Sequence, residues 1–349
     1  HQPTSPSTAA EPHTTTTTSS FAPLQMSSSS AEAVLASASK AGYFGKGSSG
    51  DGGDEPAPRI VLSDGYGQEA LPEGRPRAAS AAVGPVGLAG RYVGKSVIVT
   101  GGSKGIGEGC VRVFMAAGAN VVFCARNEVV GKALEAELTA DANHTGRAMF
   151  VKCDVSVVAD LEGVVTATLE AFGRIDCVIN NAGWHPPPTT IDGFTVANMQ
   201  DLFQLNFISI FAMCKLTLPH LRKTRGNVIN MSSWVGIFGQ AEAPTYAATK
   251  GAITSFSKAL AIDEAKTGVR VNIVSPGNIW TPLWKAWSDG EADPVAAAEA
   301  GDRVQCMGRK GTIEETGRLC LCIAADLTFT TGVDHIQSGG AELGYGLRG

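Results

Sequence analysis

From residue 92 onward, short apolar segments alternate along the chain with longer segments of helical periodicity. The apolar segments are rich in β-branched residues and carry apolar side chains at successive positions, which is typical of strands buried on both faces of a parallel sheet. They are Ser96–Thr100, Ala119–Cys124, Ala148–Lys152, Cys177–Asn180 and Asn227–Met231. Between them lie helical segments such as Gly107–Ala117 and Glu128–Leu138. This alternation predicts an α/β fold, a Rossmann-like doubly wound parallel sheet in a single domain over residues 91–349.

Residues 1–90 have a different, low-complexity composition. His13 is followed by five threonines and two serines, and further on come Ser27–Ser30 and the glycine-rich stretch Gly47–Gly53. Such a segment buries too little apolar surface to offset its chain entropy, so we predict a disordered N-terminal extension. Met26 is an alternative start of translation. A targeting peptide remains an alternative, although the region lacks both frequent arginine and a continuous apolar core.

Composition excludes some classes of function. The chain carries 28 Lys and Arg against 33 Asp and Glu, a net charge of −5, and shows no basic stripe, which argues against nucleic-acid binding. No apolar run in the sequence approaches the roughly 18 residues of a membrane span, so none is predicted. The eight cysteines form no CxxC pair, which favours reduced thiols packed in the core, a cytoplasmic location and no metal site. Organellar targeting by the extension is the alternative location.

A glycine-rich turn follows the first predicted strand directly. The segment Thr100–Gly107 reads TGGSKGIG, with the spacing TGxxxGxG. Glycines allow a backbone to approach a pyrophosphate closely, and the N-terminus of the following helix presents free N–H groups to that anion. An ordinary strand-to-helix turn is the alternative, but the position between a buried strand and an amphipathic helix favours a dinucleotide site. Its predicted contacts are Gly101, Ser103, Lys104, Gly105, Ile106 and Gly107.

Several motifs together resemble the short-chain dehydrogenase/reductase family. TGxxxGxG is the first, Asp154-Val155 after the third strand is the second, and Asn180–Gly183, which reads NNAG, follows the fourth strand. The resemblance covers nearly the whole of residues 91–349. It implies that Asp154 and Val155 contact the adenine end of a nicotinamide dinucleotide. It also implies cofactor contacts from Asn181, Ala182, Gly183, Tyr246, Lys250, Pro276, Gly277, Ile279 and Thr281.

Tyr246 and Lys250 are four residues apart, so a helix places both on one face. Taken alone, this YxxxK spacing more often marks a partly buried tyrosine beside a solvated lysine. Ser233, thirteen residues before Tyr246, and Asn206 complete a match to the family's Asn–Ser–Tyr–Lys tetrad. The resemblance implies that Tyr246 transfers the proton, Ser233 orients the substrate oxygen, and Asn206 holds a water that links Lys250 to solvent.

The chemistry explains the need for a cation beside the tyrosine. Oxidation of an alcohol removes a proton from oxygen as hydride leaves carbon, and a free tyrosine with a pKa of about 10 is a poor base at neutral pH. A shift of that pKa toward 7 requires roughly 4 kcal/mol. The ammonium of Lys250 and a positively charged nicotinamide ring can stabilise the phenolate by a free energy of this order of magnitude. Lys250 is also expected to hydrogen-bond the nicotinamide ribose.

The end of the second strand bears on the choice between NAD and NADP. Enzymes that use NAD place a carboxylate there for the ribose hydroxyls, whereas this chain has Ala125 followed by Arg126. Arg126 and Lys104 are suited to pair with a 2′-phosphate, which favours NADP, unless both are solvated surface cations. The segments Trp184–Pro188 and Ser275–Trp284 resemble a branch of the family that uses NAD and carries aspartate at the position of Ala125. NAD therefore remains open.

The same branch resemblance implies a substrate cleft lined by His185, Ser233, Gln240, Tyr246 and Trp284. A surface histidine beside a proline turn is the alternative for His185. Trp280, Trp284 and Trp287 are three or four residues apart, so we expect one apolar helical face that either covers a flat hydrophobic ligand or packs on the core. The family resemblance also implies a homotetramer, in which Tyr345 reaches a neighbouring subunit's pocket.

These observations predict an NAD(P)-dependent oxidoreductase that transfers a hydride to or from a secondary alcohol or carbonyl compound. The branch resemblance implies the 17β-hydroxyl of a steroid or an aldose such as L-fucose as substrate. A non-catalytic dinucleotide sensor on the same fold is the alternative. Such proteins typically lose the tyrosine or the lysine, and this chain keeps all four tetrad residues.

Overall fold

A seven-stranded parallel sheet organises the part of the chain that the computed structural model describes, residues 87–142 and 144–343. The strands are β1 (Ser96–Thr100), β2 (Asn120–Ala125), β3 (Ala148–Lys152), β4 (Cys177–Asn180), β5 (Asn227–Met231), β6 (Arg270–Pro276) and β7 (Asp334–Gln337). Their order is β3-β2-β1-β4-β5-β6-β7, and every neighbouring pair is parallel. The predicted doubly wound α/β fold is confirmed. The second strand lies one residue later than predicted, and β6 and β7 were not identified from the sequence.

Helices cover both faces of this sheet. Those described are α1 (Gly105–Ala116), α2 (Glu128–Ala140), α3 (Val158–Phe172), α4 (Val196–Phe203), α5 (Ser209–Thr224), α6 (Val235–Phe238), α7 (Pro244–Glu264), α8 (Pro282–Asp289), α9 (Pro294–Arg303) and α10 (Ile313–Ala325). Two apolar cores form, one on each face, and every residue of β1, β4 and β5 is buried between them. This burial explains why these strands are apolar at successive positions.

The strand order reverses between β1 and β4. The chain leaves β1 toward β2 and β3 and then returns to place β4 on the other side of β1. At such a switch point the connections diverge to opposite faces, so a crevice opens at the carboxyl ends of the two strands. Ligands of open α/β sheets bind in that crevice, and the glycine-rich turn leaves β1 at this point.

Helix α1 is held against α10 by direct backbone contact. A Cβ added at Gly109 of α1 would lie 2.2 Å from the carbonyl oxygen of Ile313, and one added at Gly317 of α10 would lie 2.5 Å from that of Gly109. Both positions therefore require glycine, because any side chain would force the helices apart. The contact fixes the helix that starts at the glycine-rich turn.

Residues 196–224 form one continuous helical run, which consists of α4, the π-helical turn Gln204–Ile208 and α5. By length and composition alone this run is apolar enough to cross a membrane, contrary to our expectation that no segment would be. Half of its most apolar window is buried inside the protein. Met213 and Leu221 are fully buried in the core, so the apolar character is that of a helix packed on the sheet.

The cysteines depart in part from the prediction that they pack in the core. Six of the eight are buried and Cys322 is half-buried, but Cys306 is exposed. It lies in the loop after α9, where its Sγ is 2.9 Å from the carbonyl oxygen of Gly340. Disorder was expected for residues 1–90, of which 1–86 lie outside the described residues. For residues 87–90 the expectation is wrong, because they form a turn in which Leu88 is buried in the core. The alternative start at Met26 and the contact of Tyr345 also lie outside the described residues.

Candidate active site

The glycine-rich turn has a backbone that other residues could not adopt. Gly101 and Gly105 have positive φ angles of 64° and 60°, a region that disfavours residues with a Cβ. A Cβ at Gly107 would lie 2.2 Å from the carbonyl oxygen of Gly101. The turn therefore folds back on itself at the carboxyl end of β1, and its backbone is open to close approach by a ligand.

The N-terminus of α1 fits the pyrophosphate of a dinucleotide. Lys104 is the N-cap residue and makes no side-chain capping hydrogen bond. The first N–H groups of the helix therefore remain available to a ligand, and the helix dipole favours an anion there. Lys104 is exposed, whereas Ser103 and Gly105 are buried in the turn. These residues match the predicted cofactor contacts in position.

Thr100 and Asn181 fasten the turn to the end of β4. The Thr100 hydroxyl accepts hydrogen bonds from the backbone N–H groups of Asn181 (3.0 Å) and Ala182 (3.1 Å). The Asn181 side-chain amide donates to the carbonyl oxygens of Thr100 (3.0 Å) and Gly101 (3.2 Å). Asn181 therefore shapes the loop that would hold the cofactor. Thr100 was not among the predicted site residues, although it is the first letter of TGxxxGxG.

Ala125 ends β2, and Arg126 follows it with an exposed side chain. Neither Arg126 nor Lys104 pairs with a carboxylate among the residues that the structure describes. At the end of the neighbouring strand β3, the Asp154 carboxylate accepts the backbone N–H of Ser156 at 2.9 Å, and Val155 is buried. This edge of the crevice therefore carries two exposed cations, Lys104 and Arg126, and the carboxylate of Asp154.

The tetrad residues lie on three elements around the carboxyl end of β5. Ser233 lies two residues beyond β5, while Tyr246 and Lys250 occupy the first two turns of α7. The Lys250 ammonium is buried and donates to the carbonyl oxygen of Met231 at 2.8 Å. It lies 5.6 Å from the centre of the Tyr246 ring. The Ser233 hydroxyl is hydrogen-bonded to the Tyr246 phenol.

Asn206 lies in the π-helical turn between α4 and α5. Single π turns interrupt the helical hydrogen-bond ladder and often occur at functional sites. The Asn206 side chain holds the backbone of Trp184 on both sides of its Cα, because Oδ1 accepts the N–H of Trp184 and Nδ2 donates to the Trp184 carbonyl, both at 2.9 Å. A Cβ at Gly183 would lie 3.3 Å from Asn206 Oδ1 and 3.6 Å from Lys250 Nζ, so both side chains converge there.

Thr249 is hydrogen-bonded to two tetrad residues, and the sequence analysis did not identify it. It is buried, donates to the carbonyl oxygen of Tyr246 (2.8 Å) and accepts from Asn206 Nδ2 (3.2 Å). Its position inside the YxxxK segment is the signal that identifies it.

Burial controls the protonation of the two central groups. It raises the pKa of Tyr246 to about 12, although the hydrogen bond from Ser233 acts in the opposite direction. It lowers the pKa of Lys250 to about 8, because a buried ammonium loses its hydration. The protein's own groups thus leave the pKa of Tyr246 above its ordinary value. A phenolate near neutral pH requires an additional positive charge in the crevice.

His185 packs directly on Tyr246. The two ring centres are 4.1 Å apart, and His185 Nδ1 lies 2.6 Å from the carbonyl oxygen of Pro186. Burial lowers the pKa of His185, and nearby Lys250 contributes in the same direction. A neutral imidazole therefore lies beside the phenol. Gln240, the other polar residue predicted in the cleft, is exposed in the loop between α6 and α7.

The segment after β6 lies over the glycine-rich turn. Gly277 follows Pro276 and donates its N–H to Gln337 at 2.9 Å, and Ile279 is buried and pairs with Gly311. Thr281 caps α8 by accepting the backbone N–H of Trp284. A Cβ at Gly105 would lie 3.6 Å from Thr281 Cγ2, so the start of α8 is in contact with the turn.

The expectation of one helical face bearing three tryptophans is wrong. Trp280 precedes α8, because Pro282 starts the helix, and only Trp284 and Trp287 of the three lie on it. The Trp284 ring packs against other residues of the segment 280–310. A Cβ at Gly301 would lie 2.3 Å from its ring, and the Lys310 ammonium lies 4.3 Å from its centre. Lys310, which no sequence signal identified, is buried, pairs with Asp302 at 2.9 Å and also lies over the ring of Trp280.

Comparison with known proteins agrees with this geometry. Residues 95–292 match the model of the short chain dehydrogenase family. The L-fucose dehydrogenases of Bos taurus and Mus musculus are 47% and 48% identical to the chain over 258 residues, which is 74% of this chain and 93% and 92% of theirs. The chain belongs to the short-chain dehydrogenase family. It is therefore an NAD(P)-dependent oxidoreductase that transfers a hydride between a nicotinamide dinucleotide and an alcohol or carbonyl substrate.

A solved structure shows the same fold. L-sorbose reductase from Gluconobacter frateurii, in complex with NADPH and L-sorbose, matches with a TM-score of 0.68 and 26% sequence identity. The match covers 73% of this chain and 98% of that one. Family membership favours the oxidoreductase over the non-catalytic dinucleotide sensor, the alternative that the sequence left open.

The burial of Lys250 predicts a specific pH dependence of stability. Its pKa is lower in the folded chain, so the unfolded chain binds more protons between about pH 8 and pH 10, and the destabilisation by the buried ammonium is relieved as pH rises. Relative to Lys250→Met, the wild-type free energy of unfolding should increase by roughly 2 kcal/mol from pH 7 to pH 10. Urea denaturation of both nucleotide-free proteins measures this difference. The exposed Lys132→Met serves as control, and a difference that does not change with pH would contradict the assignment.

Proposed function

We propose that the chain acts on an aldose, with L-fucose as the first candidate, and uses Tyr246 as the proton-transfer residue. The observation that carries the proposal is the convergence of Tyr246, Lys250 and Ser233 at the end of β5, in front of the glycine-rich turn. When bound, the dinucleotide supplies the hydride acceptor or donor at its nicotinamide ring and, in its oxidised form, a positive charge.

The proposed roles follow from the contacts. Tyr246 exchanges the hydroxyl proton of the substrate, and the Ser233 hydroxyl, already bonded to the phenol, orients the substrate oxygen. Lys250 contributes positive charge below its pKa of about 8 and has donors for the nicotinamide ribose. Asn206 holds the Trp184 backbone in place and lies beside Gly183, where a water would link Lys250 to solvent.

The surroundings of Tyr246 favour a sugar over a steroid. The tryptophan expected to cover a flat apolar ligand, Trp284, packs instead on Gly301 and Lys310. The side chain that packs on the phenol is a polar one, His185, which has hydrogen-bonding capacity suited to a polyol. Similarity to L-fucose dehydrogenases at 47–48% identity supports the same choice.

Replacement of Tyr246 by Phe tests the proposed role. We expect Tyr246→Phe to lower kcat for L-fucose oxidation by about 10²–10⁴-fold, the usual contribution of a positioned proton donor or acceptor. Dinucleotide binding should be nearly unchanged, since the phenol lies beyond the turn that holds the pyrophosphate. Steady-state kinetics and fluorescence titration with the reduced dinucleotide measure the two quantities.

Tyr92→Phe is the matched control, because Tyr92 is a buried tyrosine next to Lys95, just before β1. Normal turnover by Tyr246→Phe would overturn the assignment of the proton-transfer residue. No turnover of L-fucose by the wild-type enzyme, together with turnover of a 17β-hydroxysteroid, would overturn the substrate proposal alone.

We further propose that NADP is the preferred dinucleotide. Ala125 leaves no carboxylate at the end of β2, and the exposed Arg126 and Lys104 have no anionic partner among the described residues. A carboxylate at this position accepts hydrogen bonds from the ribose hydroxyls of NAD and repels a 2′-phosphate, whereas a guanidinium pairs with it.

Introduction of a carboxylate should reverse this preference. We expect Ala125→Asp to lower the ratio of kcat/KM for NADP to that for NAD by at least about tenfold, equivalent to about 1.4 kcal/mol. Ala125→Asn has nearly the same shape without the charge and should leave the ratio close to the wild-type value. A wild-type enzyme that already prefers NAD would refute the proposal before any variant is made.

We also propose a homotetramer that is assembled through α5 and α7. Phe211 and Ile262 are exposed on these helices, and Phe211 contacts Phe256 of α7, so the two helices share one apolar surface. Exposed apolar surfaces of this kind commonly mark protein interfaces. Light scattering should give about four times the 36.1 kDa of one chain. Phe211→Glu should lower that mass, and Phe329→Glu, at an exposed loop position, should not.

A further inference from the structure

A second polar cavity lies at the opposite end of the sheet from the tetrad. Its volume is about 440 Å³, within the range of small-molecule sites. Its walls include Lys95, Asp176, Asn227 and Arg270, which lie at or immediately before the first residues of β1, β4, β5 and β6. Strands of five residues separate it from the catalytic edge by roughly 16 Å. It is therefore distinct from the dinucleotide crevice.

Positive charge dominates the wall of this cavity. Four cations line it, Lys95, Arg174, Arg225 and Arg270, against one carboxylate among the described lining residues, Asp176. Arg174 and Asp176 pair with each other at 2.7 Å. The other three cations have no carboxylate partner in the described part of the chain. Like charges in one cavity repel each other, and an anion between them would remove that repulsion.

Two of the three unpaired cations are held in place by neutral groups. The Arg270 guanidinium donates to the carbonyl oxygens of Leu327 and Ala324, both at 3.1 Å. The Lys95 ammonium lies over the ring of Tyr92, 4.7 Å from its centre. These contacts orient the two side chains without neutralising them, so their charges remain available to a ligand.

The hydroxyl group of Tyr92 adds an unused donor. The side chain is only 1% exposed, and its oxygen receives one long hydrogen bond, 3.4 Å from Asn227 Nδ2. No described residue accepts its proton, although buried hydroxyl groups normally have an acceptor. Asn227 Nδ2 makes a second contact, to the Asp176 carbonyl, which is also 3.4 Å long. The back of the cavity therefore has hydrogen-bonding capacity that its own residues do not satisfy.

We propose that this cavity binds a small phosphate-bearing anion, held by Lys95, Arg225 and Arg270 and by the hydroxyl of Tyr92. A phosphate group matches the site in charge and in its several acceptor oxygens, whereas a carboxylate offers two oxygens to the same set of donors. Inorganic phosphate and a sugar phosphate carry the same group and differ only in how much of the remaining volume they fill.

Calorimetric titration of inorganic phosphate into the enzyme tests the proposal. The titration is made with saturating reduced dinucleotide, which occupies the glycine-rich turn, and at constant ionic strength set with chloride. One phosphate per chain should bind, and acetate should bind at least tenfold more weakly. The double variant Lys95→Gln/Arg225→Gln should lower phosphate affinity at least tenfold. The control Lys132→Gln/Arg303→Gln removes two exposed cations from α2 and α9 and should leave the affinity unchanged.

Tyr92→Phe provides an independent variant that keeps the charge and most of the packing. It should weaken phosphate binding about threefold while turnover stays at the wild-type level. Glucose 6-phosphate in place of phosphate identifies the source, since tighter binding of the ester shows that the remaining volume is used. Absence of a binding signal, or equal affinity in the wild type and the Lys95→Gln/Arg225→Gln variant, would overturn the proposal.

Discussion

The ammonium group of Lys250 is buried and is held by the carbonyl oxygen of Met231, and the site depends on this contact. The carbonyl belongs to the last residue of β5, so the position of the cation is set by the sheet. A solvated lysine would keep an ordinary pKa and would range over several ångströms. Burial instead lowers its pKa to about 8 and raises that of Tyr246 to about 12. The Tyr246 phenol therefore ionises near neutral pH only when further positive charge enters the crevice. In the proposed mechanism, the oxidised dinucleotide would supply that positive charge.

A group of hydrogen bonds joins the two halves of the sheet at the switch point between β1 and β4. Thr100 ends β1 and Asn181 follows β4, and their four hydrogen bonds hold the glycine-rich turn against the segment that continues to Gly183. Gly183 in turn lies beside Asn206 and Lys250. The glycine-rich turn and the four residues proposed for proton transfer are thus linked through the segment from Asn181 to Gly183. A shift at the turn would be transmitted to the tetrad through a few short covalent and hydrogen-bonded links.

The sequence predicted five of the seven strands and the common helical face of Tyr246 and Lys250 because both depend on local patterns, whereas Ser233 and Asn206 were named from the family resemblance. Strands buried on both faces are mostly apolar at successive positions, and Tyr246 and Lys250 are one helical turn apart. The prediction failed where tertiary contacts decide. No residue pattern in the sequence marks the π turn at Asn206. Trp280 lies outside α8 because Pro282 starts that helix. Lys310 is bound by groups from two other segments, the tryptophans and Asp302, and no spacing in the sequence brings these together.

The cations at the amino-terminal edge of the sheet are a second group that sequence analysis could not bring together. Lys95, Arg225 and Arg270 are 45 or more residues apart along the chain, and each alone is an ordinary cation beside a strand. Parallel strands bring their starts to one edge, so such residues gather there whenever they precede neighbouring strands. A fold stabilised only by its own contacts gains nothing from three unpaired like charges around a cavity. Arg174 shows that an acidic partner is structurally possible in this wall, since it has one in Asp176. Among the described residues this charge remains uncompensated, which is the observation behind the proposed anion site.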